Sequence, residues 1–155
     1  MADRDFQSLG SRVREWIAID PDPETRAEAE RLLERATAGD ADAEARLRDA
    51  FEGRLAFGTA GLRAEQGAGP RRMNRVVVAQ SSAGLADYLR ERASAEEGGR
   101  EDPPSVVIGY DARVNSDVFA RDAAEIMAGE GGRGLLPPGP PPPPPAPLAG
   151  PHPRP

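Results

Sequence analysis

The sequence predicts an α/β protein with a partly parallel sheet, an incomplete domain with a helical extension before it and a disordered proline-rich tail after it. Three observations predict this. The apolar run Val106-Val107-Ile108 passes through a polar turn into a helical pattern at 116–129, which is half of a βαβ unit. Residues 1–52 carry helical periodicity and no strand pattern. Of the 17 prolines, 12 lie in the last 19 residues, where neither helix nor interior strand is available. The organisation that follows is a helical extension at 1–52, a partial α/β domain at 53–133 and a tail at 134–155.

In chain order, Phe6, Leu9, Val13, Trp16 and Ile17 recur at helical spacing. Asp20-Pro21-Asp22-Pro23 interrupts them, and Asp22 is placed to cap a second helix with Pro23 at its first position. That helix turns Leu32, Leu33 and Ala36 inward and stops near Gly39; Asp40 then caps a third carrying Ala43, Leu47 and Phe51. This acidic preface reads as a solvated packing extension. Leu55-Ala56-Phe57 reads as a short strand. Asn74 is placed to cap a helix with Val77, Val78, Leu85, Tyr88 and Leu89 inward. Ser94 to Pro104 reads as a charged loop, and Ser105 to Tyr110 as a buried strand in one sheet with Leu55–Phe57. Asn115 or Ser116 caps the last helix, whose inward set is Val118, Phe119, Ala123, Ile126 and Met127. Leu135-Leu136 is too short to supply the next strand, so the unit stops half built.

Composition removes several chemistries. The 155 residues hold no cysteine and one histidine, His152 in the tail, which excludes thiol nucleophiles, thiolate metal sites and histidine triads. All 20 basic residues are arginine, so no lysine chemistry is present. A net charge of −6 argues against nucleic acid and anionic membranes as partners. No apolar run approaches a membrane span and no secretory signal opens the chain, so a cytoplasmic location is expected.

Two motifs offer binding chemistry. In Gly58-Thr59-Ala60-Gly61-Leu62-Arg63 the glycines Gly58 and Gly61 permit close backbone approach, Thr59 supplies a hydroxyl and Arg63 a planar donor fork for phosphate. The same residues also suit a tight turn with a solvent-facing arginine. Asp111 and Arg113 stand at the carboxyl end of a parallel strand, where open α/β sheets place ligands. From the residues alone, a local ion pair that fixes the turn is the favoured reading of the two. Arg71-Arg72 reads as a solvated basic pair. Gly129 to Gly134 matches G-x-G-x-x-G, but it follows a helix instead of opening one and is a chance match.

Phe57-Gly58-Thr59-Ala60-Gly61-Leu62-Arg63 resembles the N-terminal signature of the α-D-phosphohexomutase superfamily, the phosphoglucomutases and phosphomannomutases. Gly67-Ala68-Gly69 and Arg72-Met73-Asn74 are similar to the branch containing phosphopentomutase and glucose-1,6-bisphosphate synthase, as are Trp16 and Asp20-Pro21. Val106 to Arg113 resembles that family's next strand and Asp-x-Arg turn, and Ser116 to Arg121 the helix after it. The resemblance, over roughly residues 10–133, implies a three-layer α/β/α first domain with a mixed sheet, here incomplete. It implies a four-domain enzyme that moves phosphate on hexose or pentose phosphates through a phosphoserine, Mg²⁺ and a sugar bisphosphate activator. By position, Arg63 matches the arginine near the active-site phosphate, and Asp111 and Arg113 the turn flanking that cleft. Gly58, Thr59 and Gly61 complete the candidate phosphate-binding set.

The sequence departs from the family where chemistry occurs. No Thr-Ala-Ser-His-Asn-Pro loop and no Asp-Gly-Asp-x-Asp metal loop is present, so no catalytic residue and no metal ligand is assigned. The expectation is a phospho-sugar mutase piece that is inactive alone. The alternatives are a stand-alone phosphate-binding α/β domain, or a non-catalytic module presenting Pro140–Pro145 as a polyproline ligand to an SH3-like groove. For the tail itself, a shifted reading frame in G+C-rich DNA or a mis-assigned gene end is the favoured account over a polyproline ligand.

Overall fold

The computed structural model describes residues 2–95, 102–137 and 139. Its elements are α1 (Ala2–Ile19), α2 (Pro23–Thr37), α3 (Ala41–Phe51), α4 (Arg75–Ala95), β1 (Ser105–Val107), α5 (Ser116–Gly129) and β2 (Arg133–Leu135).

The second and third helices start where short polar side chains satisfy their free amides. Asp22 accepts from the Glu24 amide at 2.9 Å, and Asp40 accepts from the Asp42 and Ala43 amides, each at 3.1 Å. Between α1 and α2 the buried Asp20 carboxylate accepts from the Thr25 hydroxyl at 2.6 Å and the Asp22 amide at 3.1 Å, so its burial is compensated. The helices enclose Leu9, Val13, Trp16, Leu32, Leu47 and Phe51, with the Trp16 and Phe51 rings edge to face at 5.7 Å. The preface packs as expected and also carries the core cluster, which continues into Ala68 and Val76.

The loop from Glu52 to Asn74 is bound to α3. Arg71 donates to the Asp49 carbonyl at 3.0 Å and to its carboxylate at 3.2 Å, and Arg72 donates to the same carboxylate. The expected solvated arginine pair is thus a clamp on the last turn of α3. At Gly69 (φ +102°) the backbone passes so close that a Cβ would lie 2.7 Å from the Ala50 carbonyl oxygen. Asn74, 2% exposed, caps α4 by accepting from the Val77 amide at 3.0 Å, while its Nδ2 donates to the Gly67 and Gly69 carbonyls at 2.9 and 2.8 Å.

The second layer is built from α4, β1, α5 and β2. Strands β1 and β2 pair in parallel with Ser105 opposite Arg133, Val106 opposite Gly134 and Val107 opposite Leu135, and α5 is the crossover between them. Gly134 lies against α5, where a Cβ would meet the Ala124 Cα at 2.7 Å.

Five expectations need correction. Leu55–Phe57 forms no strand: the Leu55 amide donates to the Pro70 carbonyl at 2.9 Å, Phe57 is 75% exposed, and no sheet edge runs beside them. The next strand is present after all, because a three-residue ladder needs backbone partners more than apolar length; Arg133 N donates to Pro104 O at 2.8 Å and Ile108 N to Leu135 O at 2.9 Å. The strand at 105–107 is not buried: Val107 is 76% exposed, since helices cover one face of the two-stranded sheet and no described residue covers the other. In α4 the buried residues are Val76, Val77 and Ala86, whereas Leu85 and Tyr88 are exposed, because apolar residues run around this helix and only one flank meets α5. The helix also extends through Ser94 into the expected loop, whose residues 96–101 lie outside the described residues, as do 138 and 140–155 of the tail.

Candidate functional site

Gly58 and Gly61 close a two-residue turn: each amide donates to the other's carbonyl at 3.1 Å, with Gly61 at φ +90°. Thr59 and Ala60 form the exposed tip. Two residues further on, Arg63 is exposed and makes no hydrogen bond or ion pair among the described residues. The turn is therefore tight, and its arginine is an uncommitted cation.

Across from it, Asp111 and Arg113 form the local ion pair. The Asp111 carboxylate accepts from the Arg113 amide at 3.0 Å and from its Nε at 2.8 Å, and the Asp111 amide donates to the Ser116 hydroxyl at 3.1 Å. Hydrogen bonding by the Arg113 side chain, then by its amide, lowers the Asp111 carboxyl to about 2. Arg113 keeps most of its guanidinium in solvent, so the pair shapes the turn without consuming the cation's capacity for an anion.

The two arginines share one cleft of about 440 Å³, lined also by Gln66, Met73, Ser116 and Phe119. Gly58, Thr59 and Gly61 do not line it, and Asp111 faces the neighbouring cleft of about 470 Å³ on the far side of Arg113, together with Arg121. The structure thus brings Arg63 and Arg113 together and leaves the glycine turn outside. Gln66, which the sequence does not flag, and Asn115, flagged only as a helix cap, join the halves. Gln66 donates from Nε2 to the Val114 carbonyl at 2.8 Å, and Asn115 Nδ2 donates to Gln66 Oε1 at 3.0 Å. A residue pair 48 or 49 positions apart leaves no local pattern to read. The only available signal was Asn115 itself, a residue type that tolerates its φ of +62°.

Chemically the cleft offers cationic forks and no nucleophile poised by a base. Ser116 accepts from the Asp111 amide, and among the described residues no hydrogen bond joins its hydroxyl to a base free to take its proton. Among the described residues no group of three or more His, Cys, Asp or Glu is placed to hold a metal ion, and Asp111 is committed to Arg113. Mg²⁺ therefore does not fit these residues, and no step passes through it.

Comparison with known proteins decides the family. The profile described as "Phosphoglucomutase/phosphomannomutase, alpha/beta/alpha domain I" matches residues 54–145. The chain belongs to this family. Among its relatives, a protein described as a probable phosphomannomutase of Haemophilus influenzae is 56% identical over 66 residues, 43% of this chain and 12% of the relative. A probable phosphoribomutase of Schizosaccharomyces pombe is 41% identical over 124 residues, 79% of this chain and 19% of its own. A phosphoglucomutase of Staphylococcus haemolyticus is 42% identical over 81 residues, 52% of this chain and 13% of the relative. The chain thus spans less than a fifth of the length of these relatives, a fragment in extent. No solved structure matches it. Relative to the family's α/β/α domain I, this member is mostly helical with a small two-stranded parallel sheet. No helix among the described residues is long and apolar enough to cross a membrane.

Proposed function

We propose that residues 53–133 are the phosphate-facing part of domain I of a cytoplasmic phospho-sugar mutase, and that Arg63 and Arg113 grip the phosphate of a hexose or pentose phosphate. The observation that carries this reading is one cleft lined by two arginines from segments 50 residues apart, one of them without a partner among the described residues. Guanidinium forks match phosphate oxygens in geometry and charge. In this reading Gly58, Thr59 and Gly61 border the substrate, and Asp111 orients Arg113. Residues 1–52 form a packing extension; Gly134 and Leu135 belong to the sheet as part of β2, so the tail begins after Leu135 and not at 134. The one-sided cover of the sheet supports a three-layer domain, since Val107 and Leu135 lie exposed on the face where a second helical layer would pack.

Binding and turnover separate here. The cleft supplies positioning and charge but no phosphoryl acceptor, so the 155-residue chain binds phospho-sugar weakly and does not isomerise it. The relatives are described as mutases of three different sugars, and mannose, ribose and glucose phosphates are all candidates. Titration calorimetry with the 1-phosphate of each, against the unphosphorylated sugar, tests the reading. Phosphate-dependent binding that falls about tenfold in Arg63→Ala is expected, one charge-assisted contact being worth roughly that factor. Equal binding of sugar and sugar phosphate overturns it, and turnover primed with glucose-1,6-bisphosphate and Mg²⁺ overturns the assignment of inactivity.

A further inference from the structure

We propose that Gln66 is a positioning residue which, latched to Asn115 and Val114, holds Arg63 and Arg113 over the same cleft. The proposal rests on the phosphate reading above. The turn at 111–116 is shaped internally by the Asp111–Arg113 pair and by Ser116, but those bonds leave its placement against the rest of the molecule open. Among the described residues, the hydrogen bonds that join segment 61–73 to this turn are the two made by the Gln66 amide. One end donates to the Val114 carbonyl and the other accepts from Asn115, so a single side chain engages two successive residues directly after Arg113.

Both sides of the latch are anchored. Gln66 is bracketed by Glu65, whose carbonyl accepts from the Met73 amide at 2.9 Å, and by Gly67, whose amide donates to the Met73 carbonyl at 3.2 Å. Met73 adjoins the buried Asn74, itself bonded to the carbonyls of Gly67 and Gly69. On the other side, Asn115 is the one non-glycine residue at positive φ among the described residues (+62°), directly before the first turn of α5. The bond from Asn115 Nδ2 to Gln66 takes the side chain away from the helix amides, and Asn115 accordingly makes no capping bond. A residue in the usual capping position thus holds a neighbouring segment instead. Two arginines bind one anion well only when their separation is set beforehand, and Gln66 sets it.

The test uses the isotopically labelled full chain with inorganic phosphate as probe. Two readouts are followed: the Asn115 Cα and Cβ shifts, which report the left-handed conformation, and the Arg63 and Arg113 Nε–H resonances during titration. In the wild type both arginines shift with one dissociation constant. In Gln66→Ala the Asn115 signature is lost and the constant rises about tenfold, while the Trp16 indole resonance, in the helical core, stays in place and certifies the fold. A second variant, Gln66→Ala with Asn115→Gly, lets residue 115 adopt positive φ freely but cannot rebuild the tether, so its affinity stays low. Recovery there would overturn the latch in favour of turn shape alone. Unchanged Asn115 shifts and affinity in Gln66→Ala would overturn it outright. Should phosphate move neither arginine in the wild type, the phosphate reading fails, and Asn115 alone judges the latch: a lost signature in Gln66→Ala supports it and a retained one overturns it.

Discussion

Arg75 at the start of α4 and Asp122 in α5 face each other through two bonds, Nε to Oδ2 at 2.7 Å and Nη2 to Oδ1 at 2.7 Å. Both side chains are withdrawn from most of the solvent, at 29% and 13% exposure, and they stand 47 residues apart in sequence. Removing one partner strands a half-buried charge. Asp122→Asn is expected to cost about 2 kcal/mol, read as a lower urea midpoint. The double replacement Arg75→Met with Asp122→Leu recovers most of that loss.

Gly69 is irreplaceable on two counts, its φ of +102° and the 2.7 Å separation that a Cβ would have from the Ala50 carbonyl oxygen. Gly69→Ala is expected to destabilise by about 2 kcal/mol or more, seen in thermal unfolding. Gly84→Ala is the control, because nothing lies within 4 Å of a Cβ there, and helix propensity makes that change neutral or favourable.

Asn74→Ala removes a helix cap and orphans the carbonyls of Gly67 and Gly69 in the interior. The expected loss is about 2–3 kcal/mol, with Asn74→Asp recovering the cap but not the two donated bonds. Amide exchange at Val77 separates the two contributions.

Acid acts on the Asp111 turn. Its carboxyl sits at about 2, below the ordinary value of 3.8, so the folded form holds the proton less tightly than the unfolded chain. The resulting stabilisation is complete above pH 3.8 and is lost as pH falls toward 2. The Asp111 side-chain carbon is expected to titrate near pH 2, with the Arg113 amide losing protection in step. Asp40 and Asp49 follow with the same sign, their carboxyls lowered chiefly by the Ala43 amide and by Arg72 respectively.

Much of the chain was legible because its determinants are local. Asp22, Asp40 and Asn74 announce helix starts within three residues of the amides they satisfy, and the apolar spacing of α1 to α3 names the core. Legibility ended where partners lie far apart. Asp49 with Arg71 and Arg72, and Gln66 with Val114 and Asn115, are tertiary bonds between residues with no shared pattern. Leu55–Phe57 and Val107 misled because strand propensity says nothing about whether a neighbouring strand or a covering layer is present. At the candidate site, Arg63 and Arg113 were visible as residues, but their common cleft was not.

The core that Leu9 through Phe51 share with Ala68 and Val76 has a kinetic corollary. Helices α1, α2 and α3 are joined by short connections and meet as near neighbours along the chain, so closing them costs little loop entropy and proceeds early. Because all of α1 to α3 precedes Ser105 in the chain, the bundle is expected to assemble first during synthesis, offering a surface on which the segment from Gly67 to Asn74 settles to close the core. The parallel pair of β1 and β2, which must wait for the whole of α5, is added last to a platform already in place.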